Sequence, residues 1–505
     1  MSENLFALIE RRATARDRVF IALAAARGWT YGDMLAWSGR IANLLVARGV
    51  EPGDRVAVQV EKSPQAVMLY LGCLRAGAVY LPLNPAYTAV ELDYFLGDAQ
   101  PAMFVCRPQD LAMARELAAR HGVACVETMD ADGSGSLLAA ANGAGAEFTT
   151  VARAVDDLAA ILYTSGTTGR SKGAMITHGN LASNALTLAD AWRFTDADVL
   201  IHALPMFHVH GLFVALNVPL IAGASLLFMP KFDADEVVRR LPQATTLMGV
   251  PTFYVRLLQH PGLDRQTLAR MRLFISGSAP LLAETHTAWR ERTGHAILER
   301  YGMTETGMLT SNPYEGERTA GTVGPSLPGV ELRIAELESG APVPQGEIGV
   351  IEVRGPNVFK GYWRMPERTQ AEFRGDGFFI TGDMGVVDAR GYVHIVGRAK
   401  DLIISGGFNV YPKEIETEID TIPGVAESAV IGLPHADFGE GVTAVVVRSA
   451  GAQLEERAML DHLQQRLAKY KLPKRIVFVD DLPRNAMGKV EKKALRERYA
   501  ALYRP

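Results

Sequence analysis

Cysteine is scarce: Cys73, Cys106 and Cys125 are the only three in 505 residues. Three thiols cannot build a disulfide framework, and none stands in a CxxC or Cys/His metal spacing. They read as small buried hydrophobes in a reducing compartment. An excess of either charge is also lacking, since 52 Lys and Arg against 56 Asp and Glu leave a net charge of −4. A nucleic-acid scaffold would carry a basic face, so that class is set aside. Long apolar runs are missing. The longest stretch, 67–83, is broken by Arg75 and several Gly and is too short to span a bilayer. The opening residues, MSENLFALIERRATARDR, hold no continuous apolar segment, which speaks against a secretory signal. With 48% apolar and 21% charged residues, the expectation is an ordinary globular, cytoplasmic protein without a nucleic-acid or membrane partner. Length alone suggests about three structural units.

What is present is an alternation of strand and helix. RVAVQV (55–60) reads as a strand, and Ser63 caps a helical run over 64–77. A strand at 79–83, a helix at 89–99 and a strand at 102–107 follow. This order predicts a parallel, doubly wound sheet with right-handed crossovers. The Gly/Ala/Ser-rich segment 130–147 reads as a surface connection rather than a core element. Further on, AAILYT, DVLIHALP and RLFISGSA are strands that each end in a polar or Gly-rich turn. Residues 346–396 read as a small β-rich subdomain. After Arg398 the chain becomes more charged and alternates helices, one of them over 456–470, with strands, as a compact α+β unit of about 100 residues does. The predicted fold is therefore α/β. A large N-terminal doubly wound domain with a β-rich subdomain spans 1–397, and a small C-terminal α+β domain spans 398–505.

The most informative stretch is YTSGTTGRSKG (163–173), which follows a strand and precedes a helical run, ASNALTLADAW. Thr164, Ser165, Gly166, Thr167, Thr168 and Gly169 offer backbone N–H groups and hydroxyls, and Lys172 supplies a point charge. A polyphosphate needs that combination. The loop is not a Walker A motif, because Ser171 stands where the second Gly should be.

Four further segments give this loop a context: ERYGMTETG (299–307), TGDMG (381–385), GRAKDLIISGGFNVYPKEIE (397–416) and PRNAMGKVEKK (483–493). In this order the five segments resemble the adenylate-forming superfamily of acyl-CoA synthetases, coumarate ligases, luciferases and peptide-synthetase adenylation domains. The resemblance covers essentially the whole chain. It implies ATP, Mg²⁺ and coenzyme A as reactants and cofactor, and a C-terminal domain that is mobile about a hinge near Lys400. It implies that Tyr301 and Gly302 border the adenine, that Thr304 bonds the α-phosphate, and that Glu305 is the Mg²⁺ ligand. Asp383, read as lying in a tight TGD turn, would accept bonds from the ribose hydroxyls. Arg398 would reach the ribose or phosphate, and Lys489 would stabilise charge on the α-phosphoryl group during adenylation. Gly406 and Gly407 would let the backbone approach the pantetheine arm closely. By the same resemblance Lys489 is a target of acetylation, which would remove its charge.

In PMFHVHG (205–211), His208 takes the place of the family's gating histidine, and His210 is an additional polar residue. Ser276 and Gly277 of RLFISGSAPL are expected to border the acyl group. Arg256, in GVPTFYVRLLQ, is expected to point into the acyl pocket, where a guanidinium would need a permanent anionic partner. A second substrate carboxylate would supply it. An exposed helix face is the other reading of Arg256. GVPTFYVRLL, RLFISGSAPL and HVHG are of the type found in family members that activate malonate. The implied acid is therefore malonate, with methylmalonate also accepted. Activation of another short acid, loading of a carrier protein and a non-catalytic ATP-binding role stand as alternatives. Oligomeric state is not legible.

Overall fold

The computed structural model describes residues 3–23, 28–164, 171–406, 408–485 and 488–503. Ser165, Gly166, Thr167, Thr168, Gly169 and Gly407 lie outside the described residues. The chain packs into two compact units, Met1–Glu331 with Arg354–Phe373, and Leu332–Val353 with Arg374–Pro505. The line drawn at 397/398 from sequence therefore falls inside the second unit. The reason is a shared core in which Val350, Met384 and Val396 of the β-rich segment pack together with Tyr411.

The first unit holds two sheets among its described residues. In one, Cys125–Thr128, Met103–Cys106, Arg55–Gln59, Val79–Pro82 and Leu158–Thr164 lie side by side, and Lys172–Thr177 closes the edge. The first pairs are parallel and the last is antiparallel. Parallel strands are buried on both faces, which is why Met103–Cys106 and Val79–Pro82 are continuously apolar and buried. Helix Pro64–Ala76 starts at Ser63, whose hydroxyl accepts from the Ala66 N–H, and ends at Gly77 in the left-handed region at φ +72°.

The other sheet is ordered Gly307–Ser311, Leu298–Met303, Leu273–Ser276, Thr246–Gly249, Val199–His202, Ser225–Phe228, Val19–Ala22, Trp29–Thr30. Its interior pairs are parallel, with Met248 opposite His202, Gly249 opposite Ser276, and Ser276 opposite Glu299. The register sets His202, Gly249, Ser276 and Arg300 along one carboxyl edge. In open α/β sheets that edge is where ligands bind.

In the second unit, Glu331–Ala335, Gly349–Arg354, Phe379–Val387 and Val393–Arg398 form one sheet. A second sheet is built on the antiparallel pair Val425–His435 and Gly439–Arg448, with Arg475–Val479 added in parallel. No helix among the described residues is long and apolar enough to cross a membrane.

Three expectations need correction. The segment 130–147 is not all surface connection, because helix Ser136–Asn142 buries Leu137, Leu138 and Ala141. Its Gly neighbours masked a short apolar face. The run 456–470 does not continue as one helix, which stops at Gln464, and a 3₁₀ turn at Lys469–Lys471 follows. The phosphate-type loop lies between the antiparallel strands Leu158–Thr164 and Lys172–Thr177, and helix His178–Ala191 begins only after the second strand.

Candidate active site

Arg300 is 3% exposed in strand Leu298–Met303, just past the last parallel pair, Ser276–Glu299, and its Nε and Nη2 have no hydrogen-bond partner among the described residues. Burial pushes its pKa down to about 9. A buried guanidinium without an anion is costly, so the arrangement is built for a ligand that brings one. The groups around it are donors or neutral. Ser276 Oγ and His210 Nε2 are also buried without a partner, and His210 Nδ1 lies 3.2 Å from Ser278 Oγ. Burial, with Arg300 adding to it, lowers His208 to about 4 and His210 well below the usual imidazole range. Both rings are therefore neutral at pH 7.

Gly277 makes room for the guanidinium. A Cβ there would sit 2.4 Å from Arg300 Cζ and 2.6 Å from Nε and Nη1. Gly277→Ala is therefore expected to displace the side chain and raise KM for the acid by up to about 10²-fold while leaving KM for ATP in place. Steady-state kinetics on the variant checks this.

Arg256 is not the buried cation. It lies on the exposed face of helix Pro251–Gln259, where Tyr254 and Leu257 take the buried face. Two residues along a helix is a rotation of about 200°, which carries Arg256 away from Tyr254.

On the phosphate side, Thr164 stands opposite Lys172 in register, and Thr164 Oγ1 donates to the Lys172 carbonyl at 3.4 Å. Lys172 Nζ is 2.9 Å from Glu372 Oε1 and 4.0 Å from the centre of the Tyr362 ring. Tyr362 Oη lies 2.6 Å from Glu372 Oε2 and 3.0 Å from Glu305 Oε1, so one hydroxyl links the two carboxylates. Glu305 is 5% exposed. Tyr301 is half-buried opposite Thr310. A Cβ on Gly302 would lie 2.1 Å from the Gly307 carbonyl, so the strand pair requires glycine. Thr304 shares a cavity of about 20 Å³ with Gly307, Val209 and Phe213. The acyl loop and the ERYGMTETG segment thus meet.

In the second unit, Asp383 lies within strand Phe379–Val387 rather than in a turn, in register opposite Arg398. Its Oδ1 is 2.6 Å from Arg398 Nε, and its N–H donates to Thr381 Oγ1 at 3.0 Å. Lys489 ends a loop in which Arg484 Nη1 donates to the Gly488 carbonyl at 2.7 Å and Lys489 N–H donates to Asn485 Oδ1 at 3.0 Å. Lys489 is an exposed residue whose ammonium is nonetheless partly desolvated. That desolvation, with the Arg398 guanidinium nearby, lowers its pKa to about 8. Burial likewise lowers Lys400, which lies in the 3₁₀ turn Ala399–Asp401. Gly406 adopts φ +60° at the hairpin joining Ile403–Ser405 and Phe408–Val410.

Sequence reasoning missed Arg300, Tyr362 and Glu372. For Arg300 a signal existed: two adjacent charges, Glu299 and Arg300, sit inside a strand, where a buried charge asks for a partner. No local pattern marks Glu372, which reaches Lys172 across 200 residues.

The model of the AMP-binding enzyme family matches residues 9–363, and that of the AMP-binding enzyme C-terminal domain matches 414–489. Among solved structures, ATP-bound MatB from Rhodopseudomonas palustris is 62% identical over all of both chains, with a TM-score of 0.98. A malonate–CoA ligase from Arabidopsis thaliana is 35% identical over 98% of this chain and 89% of its own length. A feruloyl-CoA synthase from an Amycolatopsis species is 37% identical over 93% and 94%. The chain belongs to the AMP-binding enzyme family.

Proposed function

We propose that this chain is an ATP-dependent acid–thiol ligase that makes malonyl-CoA in the cytoplasm. A malonate oxygen attacks the α-phosphorus of ATP and diphosphate leaves. The CoA sulfur then attacks the acyl carbonyl of malonyl-adenylate and AMP leaves. The observation that carries the identity of the acid is the buried, unpartnered guanidinium of Arg300. The distal carboxylate of malonate supplies the missing anion, in a bidentate pair that a monocarboxylate cannot form. The malonate–CoA ligase relatives support the same acid. Methylmalonate fits as well, because one methyl changes binding only modestly. Arg256, exposed, is left without a part in this reading.

Lys172 and the hydroxyls of the loop take the phosphates, Thr304 the α-phosphate, Tyr301 the adenine face, and Asp383 with Arg398 the ribose. Mg²⁺ fits at Glu305. Glu305 is a buried carboxylate beside the Lys172–Glu372 pair, and a hard cation held by few protein carboxylates and by phosphate oxygens suits that donor set. When bound, the cation neutralises phosphate charge. Gly406 and Gly407 serve the second half-reaction. Lys400 is the hinge, so Lys400→Pro, which fixes φ, is expected to impair the two half-reactions unequally. Equal impairment places the hinge elsewhere.

The test is diphosphate release with and without CoA over acetate, malonate, methylmalonate, succinate and coumarate. Malonate is expected to lead, methylmalonate to follow, and turnover to require CoA. A preference for acetate or coumarate overturns the reading. Diphosphate release without any CoA thioester would point instead to carrier-protein loading.

A further inference from the structure

Lys62 stands outside every segment discussed so far. It follows strand Arg55–Gln59 of the six-stranded sheet and precedes the helix cap Ser63. Its side chain crosses to the other sheet. There Nζ donates to the His202 carbonyl at 2.8 Å, lies 2.8 Å from His202 Nδ1, and sits 4.4 Å from the centre of the Phe228 ring. Among the described residues no carboxylate pairs with it. An ammonium end drawn into the interior without an anion is too costly to be incidental.

The hydrogen-bond partners decide the state of the imidazole. His202 is fully buried, and its Nε2 lies 2.9 Å from the Gly211 carbonyl oxygen. A carbonyl only accepts, so Nε2 carries the hydrogen. Nδ1 must then accept, and the lysine amine donates to it whether or not it is charged. A doubly protonated ring would set an N–H against that donor. Burial and the Lys62 charge also push His202 far below its usual pKa.

The far end of this relay is the acyl loop. Gly211 belongs to a π-helical turn, His210–Val214, and the next N–H, of Leu212, donates to the His208 carbonyl at 2.9 Å. The turn has no slack on its other side, since a Cβ on Gly211 would lie 2.0 Å from the Pro205 carbonyl. His208 and His210, both within electrostatic reach of Arg300, immediately precede this anchored carbonyl in the chain.

We propose that Lys62 is a positioning residue for the acyl site: acting through His202, it fixes the Nε2–H form of the imidazole, which pins the Gly211 carbonyl and the loop carrying His208 and His210. The proposal rests on the malonate reading above for its substrate. Lys62→Met is expected to raise KM for malonate about tenfold with KM for ATP unchanged. His202→Phe is expected to do the same or more, and the double variant to lose no more than His202→Phe alone, because Lys62 acts only through that ring. Lys62→Arg keeps the donors and is expected to restore most of the malonate KM. In the wild type, ¹⁵N-histidine NMR is expected to show one buried ring as the neutral Nε2–H tautomer, assigned by its loss in His202→Phe. Unchanged malonate KM in Lys62→Met, multiplying losses in the double variant, or an Nδ1–H pattern for His202 overturns the proposal. The tautomer measurement decides even if Lys62→Met fails to fold. Wild-type enzyme that does not turn over malonate overturns the functional reading instead, and the same cycle is then read with the acid it prefers.

Discussion

Arg300→Met is expected to lose malonate activity by two orders of magnitude or more while the protein itself becomes harder to unfold. Both effects come from one fact: the guanidinium is buried and two of its nitrogens have no partner. On the malonate reading, the distal carboxylate of the acid would satisfy it in the complex. Truncating one member of a desolvated charge pair costs about 2–5 kcal/mol, and each ~1.4 kcal/mol is a factor of ten in kcat/KM. Acetate and propionate have no distal carboxylate and should lose little. In the free enzyme the same charge is an uncompensated cost, so an apolar side chain of similar volume stabilises. Thermal unfolding without ligand is therefore expected at a higher Tm in Arg300→Met, and added malonate is expected to raise the Tm of wild type but not of the variant. Arg256→Ala is the control. Its residue is exposed, and exposed charges contribute little, so its malonate kcat/KM should fall far less. If Arg256→Ala is the more damaging change, the acid is read by Arg256 and the buried cation serves the fold. Equal loss of malonate and propionate activity in Arg300→Met would also remove the dicarboxylate argument.

The contrast between these two arginines shows what the sequence can and cannot carry. Periodicity placed the strands at 55–60, 79–83 and 102–107 and the helix between the first two, because burial on both faces leaves continuous apolar runs. The five motif segments could be read as a set because each is local in the chain. An arginine's direction is not local. Arg256 looks away from the core because Tyr254 and Leu257 claim the inner face of its helix, and nothing in the residue itself says so. Arg300 looks inward because Gly277, 23 positions earlier on the neighbouring strand's loop, has no side chain to exclude it. Partnerships between residues far apart in the chain were invisible for the same reason: Lys172 with Glu372, and Lys62 with His202.

Lys489→Ala is expected to abolish formation of the adenylate and to spare thioester formation from preformed malonyl-adenylate. Joining a carboxylate to ATP brings two anions together and builds charge on the α-phosphoryl oxygens, and a fixed ammonium stabilises that charge only while the phosphorus is under attack. The loop around Lys489 is held by Arg484 and Asn485, so removing the side chain leaves the backbone in place. The lowered pKa gives a second readout. A free lysine stays charged to beyond pH 10, but burial and Arg398 bring Lys489 to about 8. The sign is fixed: the protonated form is the active one, so the adenylation rate should hold below pH 8 and fall as pH rises through it. The thioester half-reaction, which does not need this charge, should not share that basic limb on account of Lys489. Acetylation of Lys489 removes the same charge and should reproduce the alanine variant. Single-turnover diphosphate release across pH 6–10, set against CoA consumption from the preformed adenylate, separates the two half-reactions. Equal losses in both, or an adenylation rate flat through pH 9 in the wild type, would show that the charge on Lys489 is not what adenylation uses.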